Sequence, residues 1–302
     1  MTAAPPIKEE QAPDADTPVR DHSRDDTLFR LHCLNRDCFA MSMMKYRNAQ
    51  GYLVTGQHSG THWSKWMLSH AIAHHYKVAP PKFFNNASMA SNDIIGHPKL
   101  PQMHAHVPRV VTSHSIPPYA MQWKWLRTFM RFPPYALVVR DIRNVLVSNY
   151  EKWRERYNVE FSDYVAGDPR GDKYICDVWW YVRFMNRWGE VAKRFPDKVL
   201  VLRYEDFQAD RILSLRRITQ HFGLSLGEES LQAGADAGSK ESMSKHHDPA
   251  VDAQALRPDG KGDAAFSAAD NALLNSILDK NLKHDFGYKY FPDPRGYQVS
   301  KE

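Results

Sequence analysis

The sequence lacks any apolar run that approaches the roughly 18 consecutive residues a membrane-spanning helix needs, so we expect no transmembrane segment. The first 26 residues also lack the apolar core of a secretory signal peptide, because Ala and Pro alternate there with charged side chains. A segment of that composition cannot bury a core of its own. We therefore expect a disordered leader over residues 1–26.

Cysteine is scarce. The three thiols, Cys33, Cys38 and Cys176, cannot all pair with one another, and none lies in a Cys-x-x-Cys motif. This usage predicts a reduced, cytoplasmic setting without structural zinc.

Neither sign of charge dominates, since the formal net charge is only +5 over 302 residues. A protein that coats nucleic acid usually carries a concentrated basic stripe, so we expect an anionic small molecule rather than nucleic acid as the partner. The 42% of hydrophobic residues suffice for a substantial core, and no break in composition divides the middle of the chain. We expect one domain over residues 27–302.

Short apolar runs alternate with longer segments of helical spacing. The predicted strands are Tyr52–Thr55, Arg109–Ser113, Tyr135–Val139 and Val199–Arg203. The predicted helices cover residues 60–75, the stretch from an Asp141 cap to about Arg156, the stretch from about Asp172 to Phe195, and the stretch near Ala268–Leu282. This alternation predicts a three-layer α/β fold with a central parallel sheet flanked by helices.

A small polar loop separates the first predicted strand from the first helix. It supplies two glycines, the hydroxyls of Thr55, Ser59 and Thr61, and the free amides of a helix start, all of which suit a phosphate-like group. A nucleotide P-loop would read G-x-x-x-x-G-K-[ST], and that lysine is missing here. The loop therefore predicts an anionic nucleotide held without an obligatory metal, the alternative being an ordinary structural turn.

Polar residues follow the other predicted strands. Arg140 comes directly after Tyr135–Val139, and Ser148 lies two turns along the next helix. His114 and Tyr204 also stand at strand ends, where ligands collect in open parallel sheets. Arg140 and Ser148 suit a phosphate, and His114 can accept a proton at neutral pH. The alternatives are a surface arginine, a helix serine and a structural histidine.

Two further groups of residues bear on binding. The histidine clusters, at residues 74–75, 104–106 and 246–247, show no convincing third ligand, so we expect no metal. Arg257 and Lys261 flank glycines in a cationic loop that can fold over an anion or simply connect two elements.

In order and spacing, these segments resemble the sulfotransferase family that uses 3′-phosphoadenosine 5′-phosphosulfate (PAPS). Gly56-Gln-His-Ser-Gly-Thr-His-Trp63 resembles the family's phosphosulfate loop, Tyr-Pro-Lys-Ser-Gly-Thr-Thr-Trp. The resemblance implies a P-loop-like fold with PAPS as the sulfuryl donor. It implies that the donor is held by Ser59, Gly60, Thr61, His62, Trp63, Arg140, Ser148, Tyr204, Arg257, Lys261 and Gly262, with Trp63 stacked on adenine.

The match departs from the family at the sulfuryl centre. His58 replaces the loop lysine, His62 replaces a threonine, and Thr112 replaces the lysine of a Lys-Thr-His segment whose histidine is His114. The resemblance implies His114 as general base and His58 as a charge donor, which acts only when protonated.

The resemblance implies transfer of a sulfuryl group to a hydroxyl or amine of a small-molecule or lipid acceptor. One alternative is a nucleotide-binding protein of the same fold with weakened catalysis, and another is a small-molecule kinase. The segment from Trp123 to Phe132 interleaves aromatic and basic residues, which suits peripheral membrane contact or a half-buried helix. The sequence predicts no oligomeric state.

Overall fold

The apolar run Tyr135–Val139 forms a strand in which all five residues are buried. The computed structural model describes residues 49–84, 94–96, 101–125, 132–246 and 266–290, together with Leu31 and Leu34. The leader predicted over residues 1–26 lies outside the described residues.

Within the described chain, five strands form one parallel sheet. They are β1 (Gly51–Thr55), β2 (Ile95–Gly96), β3 (Val110–Ser113), β4 (Tyr135–Val139) and β5 (Val199–Arg203). The spatial order is β2-β3-β1-β4-β5, with Leu53 of β1 level with Thr112 of β3 and Ala136 of β4. The four strands expected from the sequence are confirmed, whereas the two-residue β2 is too short to produce a periodic signal.

Alternation along β4 divides the core into two layers. Tyr135, Leu137 and Val139 pack into one hydrophobic cluster, while Ala136 and Val138 pack into another. Successive side chains of a strand point to opposite faces, so both faces of the sheet are covered. The three-layer α/β prediction is confirmed.

The helices cover both faces of the sheet. They are α1 (Thr61–Tyr76), α2 (Ile142–Tyr157), α3 (Phe161–Ala166), α4 (Val178–Arg194), α5 (Tyr204–Ala209), α6 (Arg211–His221), α7 (Glu228–Ala237), α8 (Lys240–Lys245) and α9 (Ala268–Asn281), with a 3-10 turn at Tyr119–Gln122. Residues of α2, α4 and α9 belong to the cluster of Tyr135, and residues of α1, α6 and α7 belong to the cluster of Ala136.

The start of α4 differs from the sequence expectation. Helical spacing predicts a start at about Asp172, but the helix begins at Val178, where the Asp177 carboxylate caps the Trp180 amide at 2.9 Å. The preceding segment is held in a turn because Asp168 accepts hydrogen bonds from the amides of residues 170, 172 and 173. Those local bonds compete successfully with helix formation.

The strand order fixes where a ligand can bind. From β1 the chain crosses to β2 and β3 on one side of β1, and it then returns to β4 on the other side. The loops that leave β1 and its neighbours therefore diverge at the carboxyl end of β1 and open a crevice there. The loop after β1, His114 after β3 and Arg140 after β4 all lie at this crevice.

The Asp141 cap of α2 can be tested by mutation. Asp141 accepts hydrogen bonds from the amides of Arg143 at 2.8 Å and Asn144 at 3.3 Å. Asp141→Ala removes this acceptor and should lower the free energy of unfolding by about 1 kcal/mol, measured by urea denaturation. Asp141→Asn keeps an acceptor oxygen and should lose clearly less. Equal losses in the two variants would contradict a capping role.

Candidate active site

The loop from Gly56 to Gly60 connects β1 to α1 and turns twice through left-handed backbone. His58 has a φ of 59° and Gly60 a φ of 80°. Gly60 is the N-cap of α1 and supplies no side-chain cap, and the first turn of α1 contains no acidic residue. The first amides of a helix have no intrahelical acceptor and carry partial positive charge, so this helix start can bind an anion.

Both glycines are required by close contacts. A Cβ at Gly56 would lie 2.7 Å from Ser59 Oγ, and a Cβ at Gly60 would lie 2.5 Å from the ring of Tyr204. The loop therefore folds tightly against its own hydroxyl and against α5.

Tyr181 of α4 is hydrogen-bonded to the loop. Burial raises the pKa of the Tyr181 phenol, so the hydroxyl keeps its proton. This hydroxyl donates a hydrogen bond to the Gln57 carbonyl. Ser59 Oγ lies 3.1 Å from the same hydroxyl and must be the donor there. The Ser59 amide donates to the Gly56 carbonyl at 3.2 Å, so both donors of Ser59 shape the loop, and its contact with a nucleotide stays a prediction.

His114 is tied to the loop through Thr55. The Nδ1 atom of His114 lies 2.9 Å from the Thr55 carbonyl oxygen and 3.2 Å from Thr55 Oγ1. Thr55 Oγ1 in turn lies 2.6 Å from Thr61 Oγ1. Because a carbonyl only accepts, Nδ1 carries the proton, and Nε2 of the neutral ring is left as the proton acceptor.

The surroundings of His114 favour this neutral ring. The ring remains accessible to solvent, but the walls of the crevice desolvate it and lower its pKa. The hydrogen bond to Thr55 opposes this shift, and the positive charges of Lys65 and Lys152 reinforce it. His114 can therefore accept a proton at neutral pH.

Arg140 connects the end of β4 to the loop and to α5. Its Nη1 donates to the His58 carbonyl at 3.1 Å, and its guanidinium lies 4.6 Å from the centre of the Tyr204 ring. Its Nε is buried and has no hydrogen-bond partner within the described part of the chain. A buried donor of this kind is costly unless it is satisfied, which suits a phosphate ligand.

Other expected residues lie on α1, which follows the loop, and on α2, which follows β4. Trp63 lies edge-on to Tyr204, with ring centres 5.4 Å apart, and its indole nitrogen donates to the Gly238 carbonyl at 2.8 Å. His62 is solvent-accessible, with its ring 6.1 Å from Phe84. Ser148 is half-buried in the second turn of α2. Arg257, Lys261 and Gly262 lie outside the described residues.

The contacts of Thr55 with His114 and of Tyr181 with the loop, and the burial of Lys65, were not expected from the sequence. Tyr181 and Lys65 lie on apolar helix faces, where their residue types predict only packing. No pattern marks the approach of Tyr181 to the loop or the burial of Lys65, and both depend on how α1 and α4 are placed. In the ranges described here, no group of His, Cys, Asp or Glu residues is arranged to hold a metal, and no helix has the length and apolarity to cross a membrane.

This arrangement defines a P-loop-like α/β protein, in which a parallel strand leads through a short glycine-containing loop into a helix. The model of the sulfotransferase domain family matches residues 50–254, and the chain belongs to that family.

Other known proteins resemble this chain in part of its sequence or in its fold. A flavonol sulfotransferase-like protein of Flaveria bidentis is 26% identical over 99 residues, a match that spans 32% of each chain. A mouse sulfotransferase solved with adenosine 3′,5′-bisphosphate (PAP) has a TM-score of 0.56 at 16% identity, over 83% of this chain and 92% of that one. A retinol dehydratase solved with retinol and PAP has a TM-score of 0.53 at 18% identity, over 86% and 88%.

The left-handed backbone of Gly60 generates a prediction. Gly60→Ala forces a side chain into that conformation and against Tyr204, which should lower the free energy of unfolding by about 1–3 kcal/mol. Gly227→Ala is the matched control, since Gly227 has a φ of −71° and a Cβ added there would meet no atom within 4 Å. Urea denaturation of both variants checks this. A loss at Gly60 no larger than at Gly227 would contradict the strained turn.

Proposed function

We propose that this protein transfers the sulfuryl group of PAPS to a hydroxyl, or an amine, of a small acceptor. The observation that carries the proposal is the pair of hydrogen bonds that connects the Thr61 hydroxyl through Thr55 to His114. This connection supports the role of His114 as a proton acceptor beside a helix start that can bind an anion. A site of that kind supports group transfer from an anionic donor to a protic acceptor.

Arg140 and Tyr204 form the nucleotide end of the proposed site. The buried Arg140 Nε is an unsatisfied donor, and the guanidinium lies 4.6 Å from the centre of the Tyr204 ring. We assign Arg140 to the 3′-phosphate because its planar fork of donors matches phosphate oxygens. Trp63, which lies edge-on to Tyr204, is assigned to the adenine ring.

His114 is assigned the proton transfer. As the acceptor oxygen forms its bond to sulfur, its proton passes to Nε2 of His114. The bond between sulfur and the bridging oxygen breaks, and its electron pair stays on the phosphate of adenosine 3′,5′-bisphosphate (PAP). The Thr55 carbonyl stabilises the imidazolium that results, because it accepts from Nδ1 in both charge states.

The acceptor is proposed to be an apolar small molecule or lipid that carries a hydroxyl group. Two solved neighbours, with TM-scores of 0.53 and 0.52, hold retinol and androsterone, and both of these molecules carry a hydroxyl. Trp123 and Trp125 are exposed and stacked with ring centres 5.6 Å apart, which offers an apolar surface to such a molecule or to a membrane.

The donor site is tested by calorimetric titration with PAP, against ADP as the control, in the absence of magnesium. We expect selective micromolar binding of PAP, which corresponds to about −8 kcal/mol. Arg140→Ala should lose most of this affinity because the guanidinium has no substitute in the described site. Equal binding of PAP and ADP would overturn the proposal, and magnesium-dependent ATP turnover would favour a kinase.

The base is tested by His114→Ala with labelled PAPS and a panel of phenols and alcohols. Positioned proton transfer contributes about 10² to 10⁴ in rate, so turnover should fall by that factor while PAP binds as in the wild type. If the variant kept most of its turnover, the assignment of the base would be wrong. If the wild type bound PAP and turned over no acceptor, a binding protein with weakened catalysis would be the better description.

A further inference from the structure

Lys65 is a buried cation one turn inside α1. It is only 7% exposed, which is unusual for a lysine. Burial lowers its pKa to about 8, and no carboxylate in the described part of the chain offsets that shift. A buried ammonium without a counter-ion is costly, so its retention calls for a partner that the described residues do not provide.

Helix geometry directs this ammonium toward the anion-binding end of α1. Side chains of a helix lean toward its N-terminus, and Lys65 follows Thr61 by four residues and His62 by three. Four residues rise about 6 Å along a helix, a distance that a lysine side chain spans. Lys65 can thus reach the level of the first amides of α1.

The electrostatics of the neighbouring side chains agree with this direction. Desolvation lowers the pKa of both His62, on the same helix as Lys65, and His114, after β3, and the charge of Lys65 lowers both further. Lys152 of α2, which is solvent-exposed, acts on the same two rings. The groups connected by these interactions, His62, His114 and Lys152, are all basic, and none of them supplies a negative charge.

The chemistry of the proposed reaction needs such a cation. Negative charge builds up on the phosphate as its bond to sulfur breaks, and fixed positive charge near that oxygen is usually the largest contribution to catalysis. The loop itself offers only His58, and an imidazole carries a positive charge only when it is protonated. Lys65 is still mostly charged at pH 7.

We propose that Lys65 contacts the phosphosulfate end of the donor and is the catalytic cation of this site. This inference rests on the proposed function. Lys65 transfers no proton in the reaction. It stabilises the electron pair that the departing phosphate retains, and it remains an ammonium throughout.

The first test measures the proton taken up when PAP binds. At pH 8.5 most of Lys65 is neutral in the free protein, and contact with a phosphate should raise its pKa and draw a proton from the buffer. The phosphates of PAP titrate near pH 6 and add little at this pH. Calorimetry in buffers of different ionisation enthalpy should therefore show uptake of most of one proton by the wild type.

Three variants isolate the source of that proton. Lys65→Met should abolish the uptake and weaken PAP binding. Lys65→Arg should abolish the uptake while it keeps the affinity, because arginine stays charged at pH 8.5. Lys152→Met is the matched control, and the number of protons that it takes up on PAP binding should equal that of the wild type. Equal uptake by the wild type and Lys65→Met, or no uptake by the wild type, would overturn the assignment of Lys65.

A second test uses turnover with labelled PAPS. Lys65→Met should lower kcat about 10² to 10³-fold, as for loss of one preorganised charge donor. Wild-type kcat/KM, which reports the free enzyme, should fall above pH 8 as Lys65 loses its proton, and Lys65→Arg should move that loss to higher pH. If Lys65→Arg left the alkaline side of the pH–activity profile unchanged, Lys65 would have a structural role alone. A wild type that fails to select PAP over ADP would instead overturn the proposed function itself.

Discussion

The structure depends above all on Thr55, the last residue of the central strand. Its hydroxyl, which is wholly buried, bonds to Thr61 at the start of α1, and its carbonyl accepts from His114 after β3. One residue thus fixes the width of the loop, the start of the helix and the tautomer of the imidazole. A displacement of Thr55 would misplace all three, because short hydrogen bonds allow little change in geometry.

Helix α4 supports this arrangement from the opposite side. Tyr181 holds the loop through Gln57 and Ser59, while Arg187 and Trp188 donate to the carbonyls of residues 117 and 115. The segment that follows His114 is therefore anchored to the same helix as the loop. Both halves of the candidate site are therefore anchored to one helix, which suits a reaction that requires fixed distances.

The charge of the site is unbalanced. Arg140 has an unsatisfied donor, Lys65 has no acidic neighbour among the described residues, and the first turn of α1 contains no carboxylate. Such an arrangement destabilises the fold when no anion is present, because each buried donor or cation forgoes hydration. An anionic donor would relieve this cost when it binds, and that relief would add to its binding free energy.

The sequence by itself determined the parallel sheet, the loop after β1 and the strand-end positions of His114 and Arg140, because the periodicity of strands and helices is local. It misplaced the start of α4, where the bonds to Asp168 outweigh helical spacing. Only the tertiary structure decided that Tyr181 supports the loop and that the charge of Lys65 acts on His114, since these residues lie on elements that are distant in the sequence. No local pattern encodes such contacts, which depend on how α1 and α4 pack on the two faces of one sheet.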